Sequence, residues 1–380
     1  MKVYFDNAAT TPINKEVIYA MVKVMEEDFG NPSSTHSHGR KVKTLLENAR
    51  KQVASLLNCA PGEIFFTSGG TEADNMAIRK SVEDLDVKHI ISSCIEHHAV
   101  SHTIEELQKQ GKVEIHLVDL MPDGHINLTH LESLLKQYPG ALVSLMHANN
   151  EIGNLLDIDK VGNLCKENKA YFHCDTVQTI GHYPLDLQKT NITFLACAAH
   201  KFNGPKGVGF IYINNGTKIQ PYITGGAQER NMRGGTENVY GIVGLAKALE
   251  LAYSNLDEER THISELKFYM MKQLQTNFEE IRFNGDAEGK CLYTVLNVNF
   301  PPSPISEMIL FKLDIAGISA SGGSACSSGS NVGSHVLAAL KVPVDRPSVR
   351  FSFGKQNTKE EVDYVVGKLV EMLKPQTQQA

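Results

Sequence analysis

The sequence predicts an α/β protein with a large domain built on a mostly parallel central sheet and a smaller α+β domain beside it. Three observations predict this. Short apolar runs alternate with helical patterns from residue 14 to about 255. Those runs are apolar throughout, as in strands covered on both faces. The rhythm then changes after a long helical stretch, and 380 residues are too many for one compact core.

Residues 1–13 read as a short strand and a turn ending in Thr10-Thr11-Pro12. Helices follow near 14–28 and 38–57, the second with Val42, Leu45, Leu46, Ala49, Val53 and Leu56 on one face. Strands are expected near 63–67, 88–92, 113–118, 141–146, 170–174, 192–197 and 208–213, with helices between most of them. A helical stretch runs from about 236 to 277, and its Asp257-Glu-Glu-Arg260 patch reads as a hinge. Beyond it come a strand near 292–299, a helix near 305–315 and a Gly/Ser-rich loop at 321–334. A strand near 348–352 and a helix near 358–373 complete the order, before a frayed end from Pro375. The expected division is a large domain over 14–255 and a small one built from 1–13 and 256–380.

Composition narrows the function. The chain is 42% hydrophobic and 21% charged, as ordinary globular proteins are. Its net charge of -6 is spread among interspersed acids and bases with no basic stripe, so no nucleic acid is expected as a partner. No apolar stretch is long enough for a membrane, and the first residues do not read as a secretory leader. Seven scattered cysteines, with no CxxC, point to free thiols in a reducing cytoplasm.

Lys201 is the chemical focus. It follows the apolar run Thr193 to His200 and opens the turn Phe202-Asn-Gly-Pro-Lys-Gly207. A lysine desolvated at such a strand end becomes a nucleophile able to hold a carbonyl as a Schiff base; taken alone it reads as a solvated turn residue, and the rest of the chain reverses that reading. Four further segments lie at strand ends, where open α/β sheets bind ligands. Thr67-Ser-Gly-Gly-Thr-Glu72 offers unpaired helix N–H groups as a phosphate cup, with Gly70 and Thr71 as donors; alone it is a Gly turn with Thr71 as a cap. In His173-Cys-Asp175-Thr-Val-Gln178, Asp175 can pair with a protonated ring nitrogen and Gln178 can donate to a ring oxygen, although Asp175 also suits a helix cap. Met146 to Gly153 places Asn149 and Asn150 where buried amides need partners. Cys94-Ile-Glu-His97-His98, with His102, lacks the third ligand of a metal site, so no metal is expected there, and His97 suits stacking on a flat ring.

A lysine, a phosphate cup, a carboxylate and an amide donor are together what pyridoxal 5'-phosphate (PLP) requires. Two residues of the small domain add to them. Cys326 stands in Ser321-Gly-Gly-Ser-Ala-Cys326-Ser-Ser-Gly-Ser-Asn331, a run of small residues that leaves its thiol able to reach out. The other six cysteines read as small apolar fillers. Arg350, on an otherwise apolar strand, suits capture of a substrate carboxylate, or else a structural ion pair.

With these residues in view, the chain resembles the cysteine desulfurases of the class V aminotransferase group, of the long-loop kind found among nitrogen-fixation and iron–sulfur-cluster enzymes. The matching segments run end to end: Tyr4 to Pro12, Asn31 to His36, Thr67 to Glu72, Glu96-His97, His147 to Gly153, Asp175 to Gln178, Ala199-His-Lys201, Gly204 to Gly207, Arg233 to Thr236, Gly323 to Cys326 and Val349 to Ser352. The resemblance implies the PLP-dependent transferase fold type I and a homodimer. It implies that Lys201 carries the cofactor, His97 stacks on it, and Asp175 pairs with its pyridine nitrogen. Gln178 and Asn150 would lie near the phenolic oxygen. Gly70, Thr71 and His200 would hold the phosphate, with Thr236 reaching in from the partner subunit. Arg350 would bind the substrate carboxylate beside Asn150, and Cys326 would take sulfur from L-cysteine as a persulfide, leaving L-alanine. A scaffold or carrier protein would then accept the sulfur for iron–sulfur assembly, thio-cofactor synthesis or tRNA thiolation. The alternatives are a selenocysteine lyase or aminotransferase on the same fold, or a non-catalytic sulfur-relay or scaffold partner. The chain departs from the family pattern at Ala198, where a phosphate-binding serine is usual, and at Gly70, where many relatives have alanine. It also stops soon after 373, short of the extension that helps docking on a scaffold.

Overall fold

The computed structural model describes residues 1–322 and 333–373. Cys326 and the end from Pro375 therefore lie outside the described residues. Seven strands form the main sheet: β2 (Ile64–Thr67), β3 (His89–Ser92), β4 (Glu114–Leu117), β5 (Leu142–Ser144), β6 (Tyr171–Asp175), β7 (Phe194–Ala198) and β8 (Gly209–Ile213), after the short β1 (Val3–Tyr4) near the chain start. Their order is β2-β8-β7-β6-β5-β3-β4, and only β8 runs against its neighbours. The central strands β5 to β8 are almost entirely buried, which is why they read as unbroken apolar runs.

Helices α1 (Lys15–Glu27), α2 (Ser37–Leu56), α3 (Gly70–Asp84), α4 (His98–Lys109), α5 (Leu128–Gln137) and α6 (Ile158–Glu167) connect the early strands. Caps define them locally: the side chains of Asn14, Asn127 and Asp157 each accept a backbone N–H in the first turn of the helix that follows. The predicted helix over 236–277 is in fact two, α7 (Val239–Ser254) and α8 (Leu256–Asn277), parted at Asn255. The acidic patch Asp257–Glu259 is not a hinge but the first turn of α8, where carboxylates favour the helix N-terminus.

A second core lies apart from the main sheet. Strands β9 (Arg282–Phe283), β10 (Val295–Asn299) and β12 (Ser348–Ser352) form an antiparallel sheet, and β1 pairs in parallel with β11 (Ile318–Ser319). Helices α9 (Ile309–Ile315), α10 (His335–Ala339) and α11 (Lys359–Leu373) belong to the same part of the chain. Val3 and Phe5 pack there with residues of α8, β10, β12 and α11. The chain start thus belongs to the core built by its end. The predicted strand near 292–299 begins only at Val295, and α10 was not expected at all.

Candidate active site

The carboxyl ends of β2, β6 and β7 open onto a cavity of about 250 Å³. Gly70, Thr71, His97, Asn150, Asp175, Gln178, His200, Lys201 and Arg350 all line it, so nine of the residues singled out in the sequence face one hollow. Thr236 does not. It lines a separate hollow with Ser68, Glu229 and Arg233.

Each side chain is placed by local chemistry. Lys201 closes a 3-10 turn directly after β7. Its Nζ donates to the carbonyls of Ala8 (2.6 Å) and Ala9 (2.9 Å), both cavity-lining residues of the N-terminal segment. His200 beside it contacts Thr10 Oγ1 through Nδ1 at 3.2 Å, and burial with the neighbouring Lys201 charge pushes its imidazole down to about 4. Gln178 Nε2 donates to the same Ala8 carbonyl at 3.1 Å.

The cup is the start of α3. Gly69 precedes it at φ 156° with no side-chain cap, so the first N–H groups of the helix stay available to an anion. Two close approaches shape it. A Cβ at Gly70 would meet Val177 Cγ2 at 2.5 Å, and one at Gly209 would meet the Cys197 carbonyl at 2.1 Å and Gly69 Cα at 2.9 Å. Ala198, 3% exposed, presents its methyl group to this corner.

Asp175 ends β6, and its Oδ1 accepts the Val177 N–H at 2.9 Å. Burial pushes the carboxyl up to about 6, against the pull of the Val177 N–H and the Lys201 charge. His97 caps α4, its Nδ1 accepting the Ala99 N–H at 3.1 Å. That bond assigns the proton of the neutral ring to Nε2. Burial, and then the Lys201 charge, hold the imidazole down at about 4. Arg350, 1% exposed on β12, donates Nη1 to the Asn150 carbonyl (2.8 Å) and Nη2 to Asp6 Oδ1 (2.9 Å), while its buried Nε has no partner among the described residues. It is both an ion-pair member and a wall of the cavity.

Two carboxyls were given no role in the sequence reading. Asp74, 1% exposed, lines the cavity from α3, and Asp74, His97 and Asp175 each present an atom within 4.8 Å of the other two. Burial, then the charge of Asp175, raises the Asp74 carboxyl well above the usual carboxylate range. Asp74 Oδ1 and His173 Nε2 stand 3.3 Å apart without hydrogen-bond alignment, and burial keeps His173 neutral by pushing it down to about 3. Glu96, 1% exposed, accepts from Ser93 Oγ at 2.6 Å, and burial pushes it up to about 8. The only sequence signal for them was position: Asp74 one turn into the cup helix, Glu96 beside His97. Cys94, read as an apolar filler, is instead exposed after β3, whereas Cys165, Cys174 and Cys197 are buried as expected.

Comparison with known proteins identifies the family. The cysteine desulfurase IscS of Dictyoglomus turgidum is 43% identical over 381 residues, covering 98% of this chain and 95% of that protein. A solved NifS-like protein superposes with a TM-score of 0.89 at 36% identity, covering 98% of this chain and 99% of its own. A structure of SspA in complex with cysteine matches with a TM-score of 0.81 at 29% identity, over 94% of this chain and all of the other. Residues 3–365 match the model of the aminotransferase class-V family, and the chain belongs to that family.

Proposed function

We infer that the chain is a cysteine desulfurase that uses PLP, taking sulfur from L-cysteine onto Cys326 as a persulfide and leaving L-alanine. One observation carries this: Lys201 lines the same cavity as the uncapped start of α3, the buried carboxyl of Asp175 and the buried guanidinium of Arg350. The residues fit the cofactor. Gly70, Thr71 and His200 would hold its phosphate, Asp175 its pyridine nitrogen, and Gln178 and Asn150 its phenolic oxygen, with His97 against the ring. Bound there, PLP supplies an electron sink for the carbon that loses its proton.

The other roles fall to the chain's own groups. Arg350, which lines the cavity, orients the substrate by its carboxylate. Lys201 Nζ moves the proton at the substrate's Cα. Asp175, titrating near 6, is ionised at neutral pH and able to keep a proton on the ring nitrogen. His97, neutral near pH 7, stacks without adding positive charge.

We place the released sulfur in iron–sulfur cluster assembly, with a scaffold or carrier protein as acceptor; the relatives named cysteine desulfurase support the sulfur-releasing step. No helix among the described residues is long and apolar enough to cross a membrane, and we place the enzyme in the cytoplasm. A homodimer is supported by two features. Thr236 lies outside its own chain's Lys201 cavity, free to serve a partner's. Ile18, Tyr19, Val22, Met25 and Phe29 form an exposed apolar stripe along and just past α1.

The test is mass spectrometry of the protein after incubation with L-cysteine. One added sulfur atom is expected on the Cys326 peptide. Cys326→Ser should keep the cofactor's visible absorbance but gain no sulfur; sulfide release at the wild-type rate by that variant would overturn the reading.

A further inference from the structure

We propose that His89, Glu114 and His116 form a binding site for a borderline divalent cation of the zinc or nickel kind, at the opposite end of the main sheet from the cavity. The strand register builds it. β3 and β4 pair in parallel with His89 opposite Glu114 and Ile91 opposite His116. Glu114 and His116 lie two residues apart and so share one face of the edge strand β4. His89 begins β3 and Glu114 begins β4, whereas the Lys201 cavity opens at the carboxyl ends of the strands.

The distances suit a metal. His89 Nδ1 and His116 Nε2 are 3.2 Å apart, and His89 Nδ1 lies 3.6 Å from Glu114 Oε2. All three ligand atoms fall within 4.8 Å of one another. Two imidazole nitrogens bound at about 2.05 Å to one tetrahedral ion stand about 3.3 Å apart, close to the separation already present. The Glu114 carboxylate is largely exposed and swings in at little cost. Two imidazoles and one carboxylate, with room left for water, match what zinc, nickel and copper accept.

The rings are also held in place. Tyr138, just past α5, stacks on His116 with centroids 3.7 Å apart and planes 16° apart, and lies 4.7 Å from the His89 ring. An N–H···N bond between two neutral imidazoles is the competing account of the 3.2 Å contact. A bound ion would cross-link the exposed edge strand β4 to β3, a stabilising clip distant from the chemistry.

Titration of the untagged holoenzyme with zinc chloride, by calorimetry and by thermal unfolding, tests the proposal. Wild type should bind one equivalent more than His116→Asn and gain thermal stability on zinc addition that the variant does not. His89→Asn, on the neighbouring strand, should reproduce the loss, which guards against local damage to the edge strand. Glu114→Gln should weaken binding about tenfold without abolishing it. Desulfurase activity without added metal should be equal in all four proteins. If wild type and both histidine variants titrate alike, or none binds zinc, the pair is a plain hydrogen bond and the proposal fails.

Discussion

Two buried polar clusters in this molecule make opposite use of their charge. Arg50 and Glu229 form a closed one. Both are nearly inaccessible, and the guanidinium meets the carboxylate in two bonds, of 2.8 and 2.9 Å. The Ile64 carbonyl takes a further guanidinium N–H, the Phe66 N–H donates to the carboxylate, and the Phe66 ring covers the cation. Satisfying Glu229 has a conformational cost, since residues 229–231 turn left-handed at φ of 43°, 57° and 66°. The cavity cluster is open. Asp74 Oδ1 and Arg350 Nε, both on residues that line the hollow, are buried and have no hydrogen-bond partner among the described residues. A cluster that satisfies itself stabilises the fold; one that leaves atoms unsatisfied waits for a ligand.

Three substitutions sharpen or break this contrast, from the largest effect to the smallest. Glu229→Gln removes the buried counter-ion of Arg50 and leaves it only the half-buried Glu47 carboxylate, so chemical denaturation should show a loss of about 3 kcal/mol, while turnover per folded molecule holds. A loss of turnover with stability intact would break the contrast. Next, Asp175 titrates in the folded protein near 6, above its ordinary value near 4. The stability from its protonated form is present below about pH 4 and lost as pH rises through about 6. In cofactor-free protein, Asp175→Asn should erase that slope, on the order of 3 kcal/mol, when denaturation is followed across the window. An unchanged slope would mean that the carboxyl is already ionised throughout. The smallest effect is Ala198→Ser, which adds a hydroxyl beside the cup. Fluorescence titration should show PLP bound several-fold more tightly, roughly 1 kcal/mol, and unchanged affinity would count against the phosphate's placement there.

The closed cluster was invisible in the sequence, because Arg50 and Glu229 are 179 residues apart and nothing local links them. The open cluster was largely legible. Glycine turns at strand ends and one polar side chain at each end are local signals, and Lys201, Asp175, Gly70 and Thr71 followed from them. Asp74 was not legible, since a carboxylate four residues after Gly70 in Thr-Glu-Ala-Asp reads as the solvent face of a helix. Its helix is instead buried along that side, with Ala73, Met76 and Ala77 packed inside. The break at Asn255 was missed because both flanking segments favour helix, and only the cap residue interrupts them. Cys94 was misread because proximity to a strand says nothing about which way the following loop turns.

The amino-terminal segment spans both cores. Phe5 packs with the C-terminal elements and Asp6 holds Arg350, while Ala8 and Ala9 take the amine of Lys201 and Thr11 bonds to the His200 carbonyl. Trimming a dozen residues from this end would therefore not shorten a tail. It would take down one wall of the cavity and unhitch the guanidinium on the other side, leaving the Lys201 amine without the two carbonyls that hold it.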